Sequence, residues 1–255
     1  MKIKVFEAFA GYGSQAMALR RLKDRHPDFD FEVVGISEIE PNAIKAYNAV
    51  HGQTTNYGDI SKIDWAQVPD FDLFTYSFPC QDISSAGLQR GLAQGSGSRS
   101  SLLWECRRAI EDKRPKWLLM ENVKALIQKK FMPDFAKWGA WLESLGYENH
   151  WQVLNAKDYG VPQNRERVFM VSILGGGSYV FPKPFPLVCR LKDVLEDEVD
   201  ESYFLSEERV KGLFRSTEKE AERGNGFAFK EKYPDDIANT VQTTQNRKTD
   251  NFLAE

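Results

Sequence analysis

Short apolar runs alternate with amphipathic stretches through the first two thirds of the chain. That alternation restricts the fold more than any other feature. Lys2–Phe9, Phe31–Ile36, Asp72–Tyr76, Trp117–Met120, Trp151–Asn155 and Arg167–Leu174 read as strands. Ser14–Arg25 reads as a helix with Ala16, Leu19 and Leu22 on one face. Pro41–Val50 has a proline suited to a first turn, Leu102–Asp112 is helical, and Met132–Leu145 is ended by Gly146. Strands joined by crossover helices predict an α/β fold, a doubly wound, mostly parallel sheet. With 255 residues, 42% of them hydrophobic, the chain can fill one large domain and a small appendage.

The pattern breaks at Gly175-Gly176-Gly177 and the following FPKPFP, where three prolines in six residues oppose regular structure. Beyond it charge density rises (EDEVDE, EKEAER) and strong strand patterns cease. A boundary near Phe185 is expected, dividing a domain over 1–185 from a partial second domain over 186–255. The segment Ser84–Ser101, rich in Gly and Ser, is long for a loop within a domain and is expected to be a lid or disordered. A formal charge of −3 gives no global basic field, so nucleic-acid contacts would fall to local Lys/Arg clusters. No stretch is long and apolar enough to span a membrane, and the amino terminus reads directly as a strand rather than a leader. Cys80, Cys106 and Cys189, odd in number and widely spaced, fit neither a disulfide framework nor a metal site, and imply a reducing, cytoplasmic setting.

Four motifs carry chemistry. Gly11-Tyr12-Gly13-Ser14-Gln15-Ala16 follows the first strand and opens the first helix, fitting the G-x-G-x-x-G/A turn that lets a backbone approach a nucleotide. Glu38 and Glu40 end the second strand, where an acid can meet ribose hydroxyls. The pattern fits NAD as well as S-adenosylmethionine, and a glycine turn without a ligand remains an alternative. Asp59 would face the same crevice or serve as a surface turn. Cys80, in FPCQ, follows an apolar run and a proline. A lone cysteine is commonly a small buried apolar group; at a strand's carboxyl end, with a cation nearby, it is instead placed to attack as the thiolate. Glu121, in LLMENV, ends another apolar run. A partly desolvated carboxylate there suits a proton donor or a hydrogen bond to a ring nitrogen, or simply a helix start. In QNRER, Arg165 and Arg167 alternate onto one face of an extended chain, able to orient a carboxylate and hold a carbonyl or phosphate, or to form surface ion pairs.

Together these segments resemble the cytosine-5 DNA methyltransferase family: FAGYGS its cofactor loop, SEIEPNA its ribose-binding segment, GDI its adenine turn, FPCQ its nucleophile, ENV its acid and QNRER its arginine pair. The resemblance covers about residues 3 to 185. It implies a Rossmann-like methyltransferase fold and S-adenosylmethionine as cofactor. Phe9, Ala10, Gly11, Tyr12, Gly13 and Ser14 would line the cofactor, Glu38 and Ile39 its ribose and adenine, and Asp59 and Ile60 its adenine. Ser77 and Pro79 would approach the methionine end, and Leu102 would pack on the cofactor. It further implies that Cys80 attacks C6 of a cytosine flipped out of duplex DNA, that Glu121 holds N3, that Arg167 binds O2 and that Arg165, beside Gln163, positions Glu121. Ser14 and Ser77 stand where the family often has glycine.

Ile237-Ala238-Asn239-Thr240-Val241 resembles the middle of the family's recognition domain. The late Gly-Asn segment of the family is not found before Glu255: Gly224-Asn225-Gly226 has different surroundings. The expectations are a split enzyme completed by a second subunit, a truncated chain, or a degenerate inactive copy, with weak or no methylation by this chain alone. A prokaryotic or phage-encoded restriction-modification or orphan modification enzyme is implied. An RNA cytosine-5 methyltransferase shares the motif set. A nicotinamide oxidoreductase would use Gly11–Ala16 but leave PCQ and QNRER without a role.

Overall fold

The structure, a computed structural model, describes residues 2–80, 99–222, 229, 231–241 and 251–253. Its contacts divide the chain into two units, one of residues 1–153 and 167–181, the other of 154–166 and 182–255.

The first unit is an α/β structure. In chain order it runs β1 (Lys2–Ala8), α1 (Ser14–Arg25), β2 (Asp30–Ser37), α2 (Pro41–His51), β3 (Leu73–Tyr76), α3 (Cys106–Lys113), β4 (Trp117–Val123), α4 (Met132–Ser144) and β5 (Tyr147–Asn155). After β6 (Gln163–Asn164) of the second unit, β7 (Glu166–Leu174) returns. The six-stranded sheet has the order β2-β1-β3-β4-β7-β5. The pairs β1/β2, β1/β3 and β3/β4 are parallel, and β7 is antiparallel to β4. The chain steps from β1 outward to β2, then crosses back to β3 on the other side of β1. The loops after β1 and β3 therefore diverge, which opens a crevice at their carboxyl ends, the usual ligand position in such sheets.

Burial follows this topology. The second half of β1 is buried at every position rather than alternately, as expected of a strand covered on both faces. Phe6 and Ala8 join the main cluster with Trp65, Phe71, Phe74, Tyr76 and Trp138. Phe6 meets Trp65 edge-on at 5.2 Å, and Trp138 donates its indole N–H to the Tyr76 hydroxyl at 3.1 Å in the interior. That bond lets two large side chains with polar tips be buried without an orphaned donor. Glu7 points to the opposite face, toward α1 and α2.

Three elements differ from the sequence expectations. β4 runs to Val123, not Met120, because its ladder with β7 continues through Val123 opposite Arg167. Glu121 thus lies inside a strand rather than past its end. β5 begins at Tyr147, directly after the Gly146 turn (φ +87°). The helix expected from Leu102 is a 3-10 segment over Arg99–Glu105, and only Cys106–Lys113 is α-helical. The expected lid, 84–101, lies outside the described residues except for its last three positions. Gly224–Gly226 also lies outside them.

In the second unit, α5 spans Glu207–Glu222. β8 (Glu231–Lys232) pairs with β10 (Phe252–Leu253), and β6 with β9 (Ala238–Asn239), both in parallel. Phe229 packs edge-on against Phe214 at 4.9 Å and its amide donates to Thr217 Oγ1 at 2.8 Å.

Trp138 is fully buried at the centre of the first unit. Trp138→Ala should lower stability by about 3–5 kcal/mol in urea denaturation, the cost of a large cavity plus an orphaned Tyr76 hydroxyl.

Candidate active site

The loop after β1 is bent by three residues in the left-handed region: Phe9 (φ +56°), Gly11 (+57°) and Gly13 (+82°). At Gly13 an added Cβ would lie 2.4 Å from His51 Nε2 and 2.7 Å from the Tyr47 ring, so only glycine fits. At Gly11 the space beside the backbone is open, leaving room for a ligand to approach. The turn is closed by the Gly13 amide donating to the Ala10 carbonyl at 2.8 Å.

Two carboxylates hold this loop. Glu7, 0% exposed, accepts from the Ala16 amide at 2.9 Å and the Tyr47 hydroxyl at 2.6 Å, joining β1 to both helices on its face. Burial pushes its pKa up, and the bonds from Tyr47 and Ala16 oppose the rise. Glu38, at the end of β2, accepts from the Gly11 amide at 2.8 Å with Oε2, and from the amides of Ile39 and Glu40 with Oε1. Asn56 secures the same corner: its Oδ1 accepts from the amides of Glu38 and Gly58, and its Nδ2 donates to the Glu38 carbonyl.

Asp59 turns its carboxylate to its own turn, accepting from the Ser61 amide and hydroxyl; that side-chain bond, then the amide bond, hold its pKa below the usual range. Ile60 is 2% exposed and belongs to the main core. Tyr12 (55% exposed) and Ile39 (69%) stand out from the ends of β1 and β2 as apolar surfaces able to flank a flat heterocycle.

After β3, Ser77 accepts a hydrogen bond from Gln15 Nε2 at 2.9 Å, which joins the two loops that border the crevice. Phe78 is buried, while Pro79 and Cys80 are half-buried, with Cys80 against the main core. Asn122 of β4, 2% exposed, donates from Nδ2 to the Phe78 carbonyl at 2.9 Å and accepts the Val123 amide. The strand that carries Glu121 thereby holds the backbone two residues before Cys80.

Glu121 and Arg167 lie diagonally across the β4/β7 ladder, and Arg167 Nε meets Glu121 Oε1 at 3.0 Å. Both side chains are mostly covered, 23% and 16% exposed, so each charge offsets the desolvation of the other. Arg167 is thus the guanidinium in contact with Glu121. Arg165 and Gln163 lie in the second unit: the Arg165 amide donates to Asn155 Oδ1, and Gln163 pairs with Ala238. Leu102 is half-buried against the main core.

The residues that sequence reasoning passed over are Glu7, Gln15, Asn56 and the side chain of Asn122. Gln15 and Asn122 sat in named motifs, but no contact was read for either side chain. Glu7 is a polar residue within an apolar strand, and Asn56 lies in the turn NYG.

Glu7 keeps its proton to higher pH folded than unfolded. Its contribution to stability is full below about pH 4.5, the unfolded value, and is lost as pH rises through the folded pKa. Glu7→Gln should flatten that part of the stability profile, read as Tm against pH.

A family profile described as C-5 cytosine-specific DNA methylase matches residues 3–254. The Type II methyltransferase M2.ScrFI of Lactococcus lactis subsp. cremoris is 43% identical, over 82% of this chain and 71% of that protein. The Type II methyltransferase M.NlaX of Neisseria lactamica is 34% identical over 89% and 70%. Among solved structures, S. pombe Dnmt2 methyltransferase superposes with a TM-score of 0.67 at 22% identity, covering 92% of this chain and 68% of that one, which shows the fold. The chain belongs to the C-5 cytosine-specific DNA methylase family.

Proposed function

We propose that Cys80, Glu121 and Arg167 carry out the reaction of this family, methylation of cytosine at C5 in DNA, on a base flipped out of the duplex. The observation that carries the proposal is the bond from Asn122 to the Phe78 carbonyl, which couples the strand of the acid to the loop of the nucleophile. C5 of cytosine is a poor nucleophile. Attack of the Cys80 thiolate at C6 forms an S–C6 bond and shifts the C5–C6 π electrons toward C5. Glu121 holds N3, where the ring's changing charge is felt, and Arg167 fixes Glu121 while reaching the base O2. S-adenosylmethionine, when bound, supplies the methyl group. Loss of the C5 proton to a base and expulsion of the Cys80 sulfur by β-elimination restore the ring and the thiolate. A base stacked in a duplex cannot receive this attack, so extrusion is part of the reading.

For the cofactor, the chemistry of the rim supports the fit: an open glycine backbone at Gly11, an acid at the end of β2 and the exposed faces of Tyr12 and Ile39. Phe9, Ala10, Gly13 and Ser14 complete the loop. Glu38 and Asp59 are assigned to ribose and adenine, Ile60 and Leu102 to packing behind the adenosine, and Ser77 and Pro79 to the methionine end. Gln163 and Arg165 are assigned to setting the chain that leads into Arg167.

Double-stranded DNA is the partner in this proposal. The second unit is assigned a part in target recognition. Relatives named type II and orphan methyltransferases support a modification role in a bacterial cytoplasm.

Cys80→Ser should abolish turnover while S-adenosylmethionine affinity, measured by calorimetry, stays near wild type; lost affinity in the folded variant would refute the assigned role. Glu121→Gln should lower kcat by about 10²–10⁴-fold. Duplex DNA carrying 5-fluorocytosine tests the covalent step, because fluorine cannot leave C5 as a proton does. A denaturation-resistant adduct should form and map to Cys80 by mass spectrometry. Activity on tRNA but not on duplex DNA would replace the DNA reading with an RNA one.

A further inference from the structure

We propose that His51 is a positioning residue for the cofactor loop, acting as a neutral imidazole clamped between the Tyr12 carbonyl and the Arg20 guanidinium, so that its protonation releases the loop and weakens S-adenosylmethionine binding. This rests on the assignment of Gly11–Ser14 to the cofactor, and extends it to a residue outside every motif singled out in the sequence.

The donors and acceptors around the ring fix its state. Nε2 lies 3.0 Å from the Tyr12 carbonyl oxygen, which can only accept, so Nε2 carries a hydrogen. Nδ1 lies 3.1 Å from an Arg20 guanidinium nitrogen, which can only donate, so Nδ1 presents its lone pair. Both contacts are satisfied by one species alone, the neutral Nε2–H tautomer. The cation would turn an N–H toward an N–H and set two positive charges at hydrogen-bond distance.

The ring is held on its other sides. It packs on Tyr47 with centroids 4.6 Å apart, and Tyr47 is anchored by its hydroxyl to Glu7. Arg20 is itself fixed by donation to the Val50 carbonyl at 3.1 Å. Gly13 accepts no side chain because this ring and Tyr47 fill the space. Glu7, Tyr47 and His51 therefore form one layer behind the loop, ending on the carbonyl of Tyr12, whose own side chain faces outward. A cavity of about 190 Å³, bordered by Arg20, Tyr47, His51 and Thr54, reaches the ring and gives it access to solvent protons.

The titratable groups facing His51 are Arg20 from α1, Tyr47 from its own helix with Glu7 of β1 behind it, and Tyr12 from the loop; Phe31 and Val33 of β2 bring no charge. Burial first, with the Arg20 charge adding to it, holds the imidazole pKa below 6.5, against the pull of the Tyr12 and Gly13 carbonyls. The sign follows: affinity is constant above the His51 pKa and falls as pH drops through it, by up to about tenfold per pH unit.

The test has two readouts. In ligand-free protein, imidazole ¹⁵N NMR should show His51 as the Nε2–H tautomer titrating below pH 6.5. By calorimetry, S-adenosylmethionine should bind wild type more weakly at pH 5.5 than at pH 7.5, by at most about tenfold. His51→Gln, which can donate to the Tyr12 carbonyl but cannot titrate, should bind near the wild-type level at pH 7.5 and lose this dependence. His51→Ala should be weaker at both. An Nδ1–H tautomer, or the same pH profile in wild type and His51→Gln, would overturn the inference while leaving the cofactor loop assigned. Failure of S-adenosylmethionine to bind wild type at any pH would overturn the loop assignment and this inference with it.

Discussion

The return of the chain across β1, from β2 on one side to β3 on the other, is the constraint on which the remaining structure depends. Parallel pairing of β1 with both neighbours aims all three carboxyl ends the same way. The reversal of direction then separates the loops after β1 and β3. One loop holds Gly11–Ser14, the other Ser77–Cys80. The crevice is thus a consequence of strand order, and it would exist whatever residues bordered it.

Given that crevice, single polar contacts decide how its rim is shaped. Glu38 places a carboxylate under the Gly11 amide of the glycine loop, and Glu7 places one under the Ala16 amide in the first turn of α1. Gln15 crosses to Ser77, and Asn122 crosses to the Phe78 carbonyl. Each of these joins two loops or a loop and a strand, and each satisfies a group that would otherwise be costly to bury. The Glu121–Arg167 pair belongs to the same plan: a charge needed at the site is retained under partial cover because its partner comes from the antiparallel neighbour of its own strand. The outcome is a site whose backbone is fixed mainly by side chains from elsewhere in the first unit.

Much of this was legible in the sequence. Apolar runs and crossover helices identify the α/β sheet, since burial on both faces writes near-continuous apolar strands. The order of FAGYGS, SEIEPNA, FPCQ and ENV along the chain places each motif at a strand's carboxyl end, where the structure has the first three; the fourth, with Glu121, lies within β4. The errors are local. β4 was read as ending at Met120 because Glu121 and Asn122 break its apolar pattern, yet pairing with β7 carries the strand past them. The stretch from Leu102 reads only as helical, because the 3-10 and α periods are close over so short a length. For Asp59 the sequence leaves a crevice position and a surface turn open, and its carboxylate accepts from Ser61, two residues on.

The sequence by itself determined the secondary elements, the position of each motif at an element's end and the chemical kind of each group, because these depend on neighbours close along the chain. Tertiary structure alone decided that Arg167 meets Glu121, that Asn122 holds the chain before Cys80, and that His51 lies behind Gly13. Those contacts join residues separated by 38 to 46 positions, as 167 − 121, 122 − 78 and 51 − 13 show. Periodicity and turn preference carry no information over such separations; only strand register and helix packing bring these side chains together.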